Sequence, residues 1–280
     1  MNTLDILVHW ITERDAIRER KADSLLPQEW TNDVLLRHYR FCNVDREDDK
    51  VTKWIDANIR KPYASHPALW FNLALSRYIN KIESLEHMGF VCLWRRKGRD
   101  WTDKMKELPT PFGPAYIIPT GQESMPKLDW LAKYLFTPLW EGTPPDGELD
   151  SRTCQGWFDW LWSHKGCGEF MANQIVTDMK YTRYLESAVD RKTFVCAGPG
   201  TKRGLNRLLG YDLGRNWTPE EGRIALVQIR DRLLKNYKFS PHVQQALERD
   251  LNNLSNCFCE YDKYCRALLD EGRPKQRYTP

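Results

Sequence analysis

Two glycine turns and one carboxylate carry the clearest chemistry in this chain. Gly166-x-Gly168 precedes an apolar stripe at Ala172, Ile175, Val176 and Met179, spaced as one face of a helix. A tight turn opening a helix leaves backbone N–H groups without intrahelical acceptors at the positive end of the helix dipole, which suits a phosphate oxygen. Asp190 stands 22 residues beyond Gly168, in the segment SAVDRKTF. A second glycine turn, Ala197-Gly198-Pro199-Gly200, runs into Lys202, Arg203, Gly204 and Arg207. From Lys180 to Arg207 seven basic residues (180, 183, 191, 192, 202, 203, 207) face only Glu186 and Asp190. A charge run of this kind is usually a solvated helix face. Two glycine turns at helix starts inside it favour contact with a nucleic-acid backbone, through Gly166, Gly168, Gly198, Gly200, Lys202 and Arg203.

Two polar strings lie near the ends of the chain. The first runs from Arg37 to Lys50 and holds His38, Cys42, Asn43, Asp45, Arg46, Asp48 and Asp49; the second holds Glu260, Asp262, Lys263 and Arg266. Spacing alone reads them as ion pairs between residues three or four apart on exposed helices, a weak stabilisation. The six histidines show no metal-ligand spacing, and His38 is the one nearest a polar string. Cys257-x-Cys259-x5-Cys265 has the wrong intervals for a metal cluster, so thiols packed or free are expected and no metal. Cys42 and Cys196 fall inside the singled-out motifs, where a thiolate nucleophile is conceivable.

These residues must be positioned mainly by helices. Leu4, Leu7, Val8 and Ile11 form one helical stripe, Leu128, Leu131, Leu135 and Leu139 another, and Val243, Ala246, Leu247, Leu251 and Leu254 a third. Thr218-Pro219-Glu220-Glu221 and Ser240-Pro241 mark helix starts. Strand signals are confined to Gly89–Trp94 and Ala115–Ile118, which could pair as a small β ribbon. The 280 residues carry 12 Trp, 12 Tyr and 10 Phe at a net charge of +4, a ring-built core that excludes a disordered chain. No apolar run reaches membrane-spanning length and the N-terminus lacks a secretory signal, so a cytoplasmic location and reduced cysteines are expected. Pro and Gly at 142–147 suggest a boundary, and the basic stretch 271–280 reads as a solvated tail.

The first glycine turn and its aspartate resemble the helix-hairpin-helix DNA glycosylases, in which a G-x-G hairpin grips the DNA backbone and an Asp about twenty residues on is catalytic. Gly166, Gly168, Ala172, Asn173, Val189 and Asp190 match that pattern. His164-Lys165 stands where the family has Leu-Pro, and Phe170 stands where its lyases have the Schiff-base lysine, so that covalent chemistry is unavailable. The resemblance implies a mainly α, two-lobed helical fold whose chain ends share one lobe: 1–147 with 236–280 returning to it, facing a hairpin lobe at 148–235.

A second resemblance spans about residues 30–278. FCNVDREDDKVTKWI, GPGTKRGL and CEYDKYCRALLDEGRPKQRY are similar to the alpha-glutamyl/putrescinyl thymine pyrophosphorylase family, also described as the helical domain associated with 5-hydroxymethyluracil DNA kinase. It implies bacteriophage thymine hypermodification, in which an amine such as an amino acid or putrescine displaces the phosphate or pyrophosphate of a 5-phosphomethyluracil in double-stranded DNA. It also implies a host-cytoplasmic location. The chain has no G-x-x-x-x-G-K-[ST], so it would work after or beside a 5-hydroxymethyluracil DNA kinase, with no cofactor of its own. Base extrusion would expose the target, with a few aromatic rings stacking on it. Arg46, Lys263 or Lys202 would stabilise the leaving phosphate and Asp190 would take the amine's proton, with Asp178 as the fallback carboxylate. Asn43 and Asp49 complete the expected catalytic set, while Glu260 and Arg266 (or Arg46) would bind the amine-bearing substrate. Excision of a modified base by Asp190, or a non-catalytic DNA-binding role, are the competing expectations.

Overall fold

In a computed structural model, residues 3–23, 26–116, 118, 124–145, 152–274 and 277–278 are described. The helices of eight residues or more among them are α1 (Thr3–Asp23), α2 (Leu69–Ile79), α3 (Arg99–Lys106), α4 (Cys154–Trp162), α5 (Glu169–Met179), α6 (Pro199–Leu209), α7 (Pro219–Asn236), α8 (Pro241–Arg249) and α9 (Leu251–Leu268). Shorter helical turns join them. The protein is mainly α, and the starts of α7 and α8 form as their sequences require. Thr218 and Glu221 make a reciprocal capping box on α7, and Ser240 caps α8 through the Val243 N–H.

The chain divides into two compact units, one of residues 1–49 with 192–280 and one of residues 50–191. The chain ends share the first unit, and the divisions fall at 49/50 and 191/192. In the first unit α9 is the central helix, with α1, α6, α7 and α8 packed around it. Leu251, Leu254, Cys257, Phe258 and Tyr261 of α9 are fully buried against Leu7, Trp10, Leu205, Leu226 and Leu247. α6 approaches α9 closely because Gly200 and Gly204 fall four residues apart on the contacting face. A Cβ on Gly204 would lie 2.4 Å from the Phe258 carbonyl oxygen, and one on Gly200 2.4 Å from Cys259 Sγ. Within the C-terminal stretch, expected as a solvated tail, Tyr278 is docked: its N–H donates to the His38 carbonyl at 3.0 Å, and its ring meets Trp30 edge-on at 5.1 Å.

In the second unit every residue of α2 is buried, and rings supply much of the packing. Phe71 contacts Trp94, Phe136 and Trp140, while Trp157 contacts Trp70, Trp160 and Tyr184. No strand is formed among the described residues; the expected ribbon partner for 89–94 is replaced by one side chain. Buried Asn72 accepts from the Val91 N–H at 2.8 Å and donates to its carbonyl at 3.0 Å, satisfying the edge that a second strand would have met. Ala115 lies in a turn, and Ile117 lies outside the described residues, as do Asp146 and Gly147 of the expected boundary.

Candidate functional site

α9 carries a second face besides its core face. Asn253, Asn256, Glu260 and Lys263 recur at intervals of three or four residues and form a polar stripe against the segment 40–49. The Arg46 N–H donates to Asn253 Oδ1 at 3.0 Å, and Asn256 Nδ2 donates to the Asn43 carbonyl at 3.3 Å. Buried Glu260 accepts from the Cys42 N–H at 3.1 Å and from Lys263 Nζ at 3.0 Å. Lys263 also donates to the Arg40 carbonyl at 2.7 Å and lies 4.7 Å from the centre of the Phe41 ring. The two polar strings, more than two hundred residues apart in sequence, are therefore one cluster in which Asn43, Arg46, Asp49, Glu260 and Lys263 come together.

Beneath it lies a residue that spacing did not single out. Arg14 of α1 is buried, donates to Asn43 Oδ1 at 2.6 Å, and reaches the Phe41 carbonyl at 3.4 Å. Asn43 passes the link on, donating through Nδ2 to Asp49 Oδ1 at 3.3 Å. Arg14 pairs with no carboxylate among the described residues, and its Nη1 is buried without a hydrogen-bond partner. A buried guanidinium with no carboxylate partner among the described residues biases its surroundings positively. Cys42, at the same place, is exposed as a residue, yet packing about its sulfur desolvates the thiol. That desolvation and the charges of Glu260 and Asp49 raise it well above its ordinary value, which opposes a thiolate role.

A second network adjoins this one. His242 sits between three carboxylates, with Nδ1 2.8 Å from Asp15 and Nε2 2.9 Å from Asp48 and 3.8 Å from Asp45. Asp45, Asp48 and His242 could in principle ligate a cation. Arg18 lies 3.0 Å from Asp15 and 3.6 Å from Asp48, and Arg249 pairs with Asp45, so basic groups already balance these acids. Burial alone would raise Asp15, but hydrogen bonds from Ser240 and Arg18 and the charge of His242 hold it below its ordinary value.

The remaining candidates have identifiable places. Asp262, buried on α9, gathers Arg207 at 2.7 Å and Arg203 and Arg266 at 3.3 Å each, and Arg207 also pairs with Glu271. Gly198 caps α6 with open space beside it, whereas Gly200 is a packing position; Lys202 is half-buried and makes no ion pair among the described residues. In the second unit α4 and α5 are joined by a turn through Gly166, at φ +91°, whose carbonyl accepts from the Tyr78 hydroxyl at 2.8 Å. Gly168 caps α5, beside exposed Lys165 and Phe170. Asp190 accepts from the N–H groups of Cys154 at 2.8 Å and Gln155 at 2.9 Å, one on each oxygen, and so caps α4 together with Thr153. Asp178 is fully buried in a two-pronged ion pair with Arg77, whose Nη2 also donates to Thr52 at 2.9 Å; it has a structural partner and no exposure. Cys257 and Cys265 are buried and Cys259 exposed, all free thiols, with Cys259 and Cys265 pushed up to about 11 chiefly by desolvation.

A mainly helical protein with a charged cluster assembled from its two ends is thus defined. The chain belongs to the family described as "5-hmdU DNA kinase, helical domain", whose model matches residues 1–273. It is 22% identical over a 302-residue alignment to a 5-hmdU DNA kinase of Bacillus phage SP10, which covers 93% of this chain and 44% of that protein. The chain therefore spans less than half the length of that relative. No solved structure matches it.

Proposed function

We propose that this chain acts in thymine hypermodification, on 5-hydroxymethyluracil-derived bases in double-stranded DNA, replacing the phosphate or pyrophosphate of a 5-phosphomethyluracil with an amine such as an amino acid or putrescine. The observation that carries the reading is the convergence of Asn43, Asp49, Glu260 and Lys263 on the segment 40–49, with buried Arg14 bonded to Asn43, in a chain of this family. In the step proposed, the bond between the 5-methylene carbon and the phosphate oxygen breaks, and phosphate departs with the electron pair. The amine nitrogen bonds to that carbon, and its surplus proton passes to a carboxylate, Asp49 or Glu260. Lys263, Arg46 and Arg14 supply positive charge where the leaving group develops negative charge. Arg266 and Arg203, held by Asp262, are placed to meet an amino-acid carboxylate. Asp190 keeps a proposed part in orienting an extruded nucleotide, alongside its work as the α4 cap.

A second reading follows from the length of the relative, of which only 44% is matched. In it the helical domain holds modified DNA for a separate kinase partner and does no chemistry. Incubation with 5-phosphomethyluracil duplex DNA, mixed amino acids and putrescine, followed by digestion and mass spectrometry of nucleosides, separates the cases. A new aminomethyl-type nucleoside supports transfer. Abasic sites would instead establish excision, and unchanged DNA that the protein nevertheless binds would establish the holding role.

A further inference from the structure

The segment 95–106 holds six basic residues, Arg95, Arg96, Lys97, Arg99, Lys104 and Lys106, against Asp100 and Asp103. Its turn has an uncommon backbone. Arg96 (φ 47°), Lys97 (φ 53°) and Gly98 (φ 82°) stand consecutively in the left-handed region, which side chains other than glycine rarely adopt. A turn needing only that conformation would carry Gly, Asn or Asp there; two long cations occupy it instead. The turn is fixed from below by Trp94, which is buried among Phe71, Trp101 and Phe136 and donates from Nε1 to Thr137 Oγ1 at 2.9 Å. Gly98 rests on that indole so closely that a Cβ would fall 2.2 Å from it. Rigid support beneath and exposed charge above is the pattern of a strained segment kept for a partner.

Beside the turn runs an open groove of about 380 Å³, lined by Lys97, Arg99, Lys106 and Lys133 with Asp103 and Asp129. Lys106 pairs with Asp129 at 2.7 Å, and Arg99 meets Asp103 only at 4.0 Å. Arg95, Lys97 and Lys133 have no carboxylate partner among the described residues, and all three are exposed. Arg96 pairs with Asp100 of the same segment. Exposed cations spread over a turn and an adjoining open groove, three of them without a carboxylate partner among the described residues, fit the repeated charges of a nucleic-acid backbone better than a single small anion, which an enclosed pocket would take. We propose that this turn and groove, formed by Arg95, Arg96, Lys97, Arg99 and Lys133, bind the phosphate backbone of double-stranded DNA. The inference rests on the reading that DNA is the substrate, and it assigns the backbone contacts to residues other than those of the segment Lys180–Arg207.

The test uses the full chain and a fluorescently labelled DNA duplex, with affinity measured across a salt series. R96G/K97G removes two cations while supplying the residue that the backbone there favours, so folding and thermal stability should be kept or improved. Adding R99Q and K133Q should weaken binding about tenfold or more and flatten the logarithmic salt dependence by about 0.9 per phosphate contact removed. Affinity within twofold of the wild type and an unchanged salt slope would overturn this surface while leaving the DNA reading intact. A comparable loss on K202Q, with R96G/K97G neutral, would overturn it in favour of α6. Failure of the wild-type chain to bind duplex DNA at all would remove both the surface and the reading on which it rests.

Discussion

Replacing Gly204 by Ala tests whether the GPGTKRGL turn is a packing device. The added Cβ would lie 2.4 Å from the Phe258 carbonyl oxygen and 3.2 Å from its Cδ1, where ordinary carbon contacts begin at roughly 3.5 Å. About 1 Å of separation must therefore open between α6 and α9. It must open beside fully buried Leu205 and Phe258, in the core of the first unit. Overpacking of this kind costs about 1–3 kcal/mol, and the better helix propensity of Ala returns at most about 1 kcal/mol. A net loss of about 1–2 kcal/mol is expected, read as an earlier midpoint in denaturant unfolding followed by tryptophan fluorescence. Gly198→Ser is the matched control: nothing lies within 4 Å of its Cβ position, and serine is a good N-cap, so stability should hold or rise. Wild-type stability in Gly204→Ala, or a loss in Gly198→Ser matching that of Gly204→Ala, would refute the packing argument.

Breaking the Arg77–Asp178 pair by Arg77→Met or Asp178→Asn should cost about 3–5 kcal/mol in thermal unfolding, while Arg77→Met with Asp178→Leu should recover most of it; singles that fold normally but lose activity would return Asp178 to the chemistry. Asp15 has a native pKa below its ordinary 3.8, so its contribution to stability is present above about pH 4 and disappears as pH falls through the native value. The stability gap between wild type and Asp15→Asn should accordingly stay open near neutrality and narrow below about pH 4, in unfolding curves taken across that range; a gap that widens with acid would contradict the assignment. Asp190→Asn should lower stability by about 1 kcal/mol through the α4 cap, and so should Thr153→Ala, by calorimetry; an unchanged Asp190→Asn would show that the cap is not what the carboxylate supplies.

Local chemistry was legible in the sequence where it acts within a few residues. The caps of α7 and α8, the stripe at Ala172, Ile175, Val176 and Met179, and the glycine turn between α4 and α5 are all decided by neighbours in the chain. The stripe Asn253, Asn256, Glu260 and Lys263 was readable by the same periodicity, since its residues fall on one helical face. Partners distant in sequence were not readable. His242 is 227 residues from Asp15, and Asn72 replaces a ribbon strand through contacts 19 residues away, so no spacing rule announces either. Gly200 and Gly204 show how one motif serves two readings, because glycine permits close approach to a phosphate or to another helix, and only the identity of the neighbour decides. Arg14 was hidden for a related reason: a cation in a mostly apolar helix face reads as noise until its burial against Asn43 is seen.

The first unit also sets an order of events during synthesis. Residues 50–191 are contiguous, so their core can close as soon as they emerge. The unit built from residues 1–49 and 192–280 must wait for α9, whose Tyr261 hydroxyl donates to the Thr3 carbonyl, 258 residues away in the chain. At about 5–20 residues per second, α1 spends on the order of ten to fifty seconds with its buried face, Leu7, Trp10 and Ile11, uncovered. That interval makes the yield of folded protein sensitive to any carboxy-terminal truncation that removes α9, long before any question of activity arises.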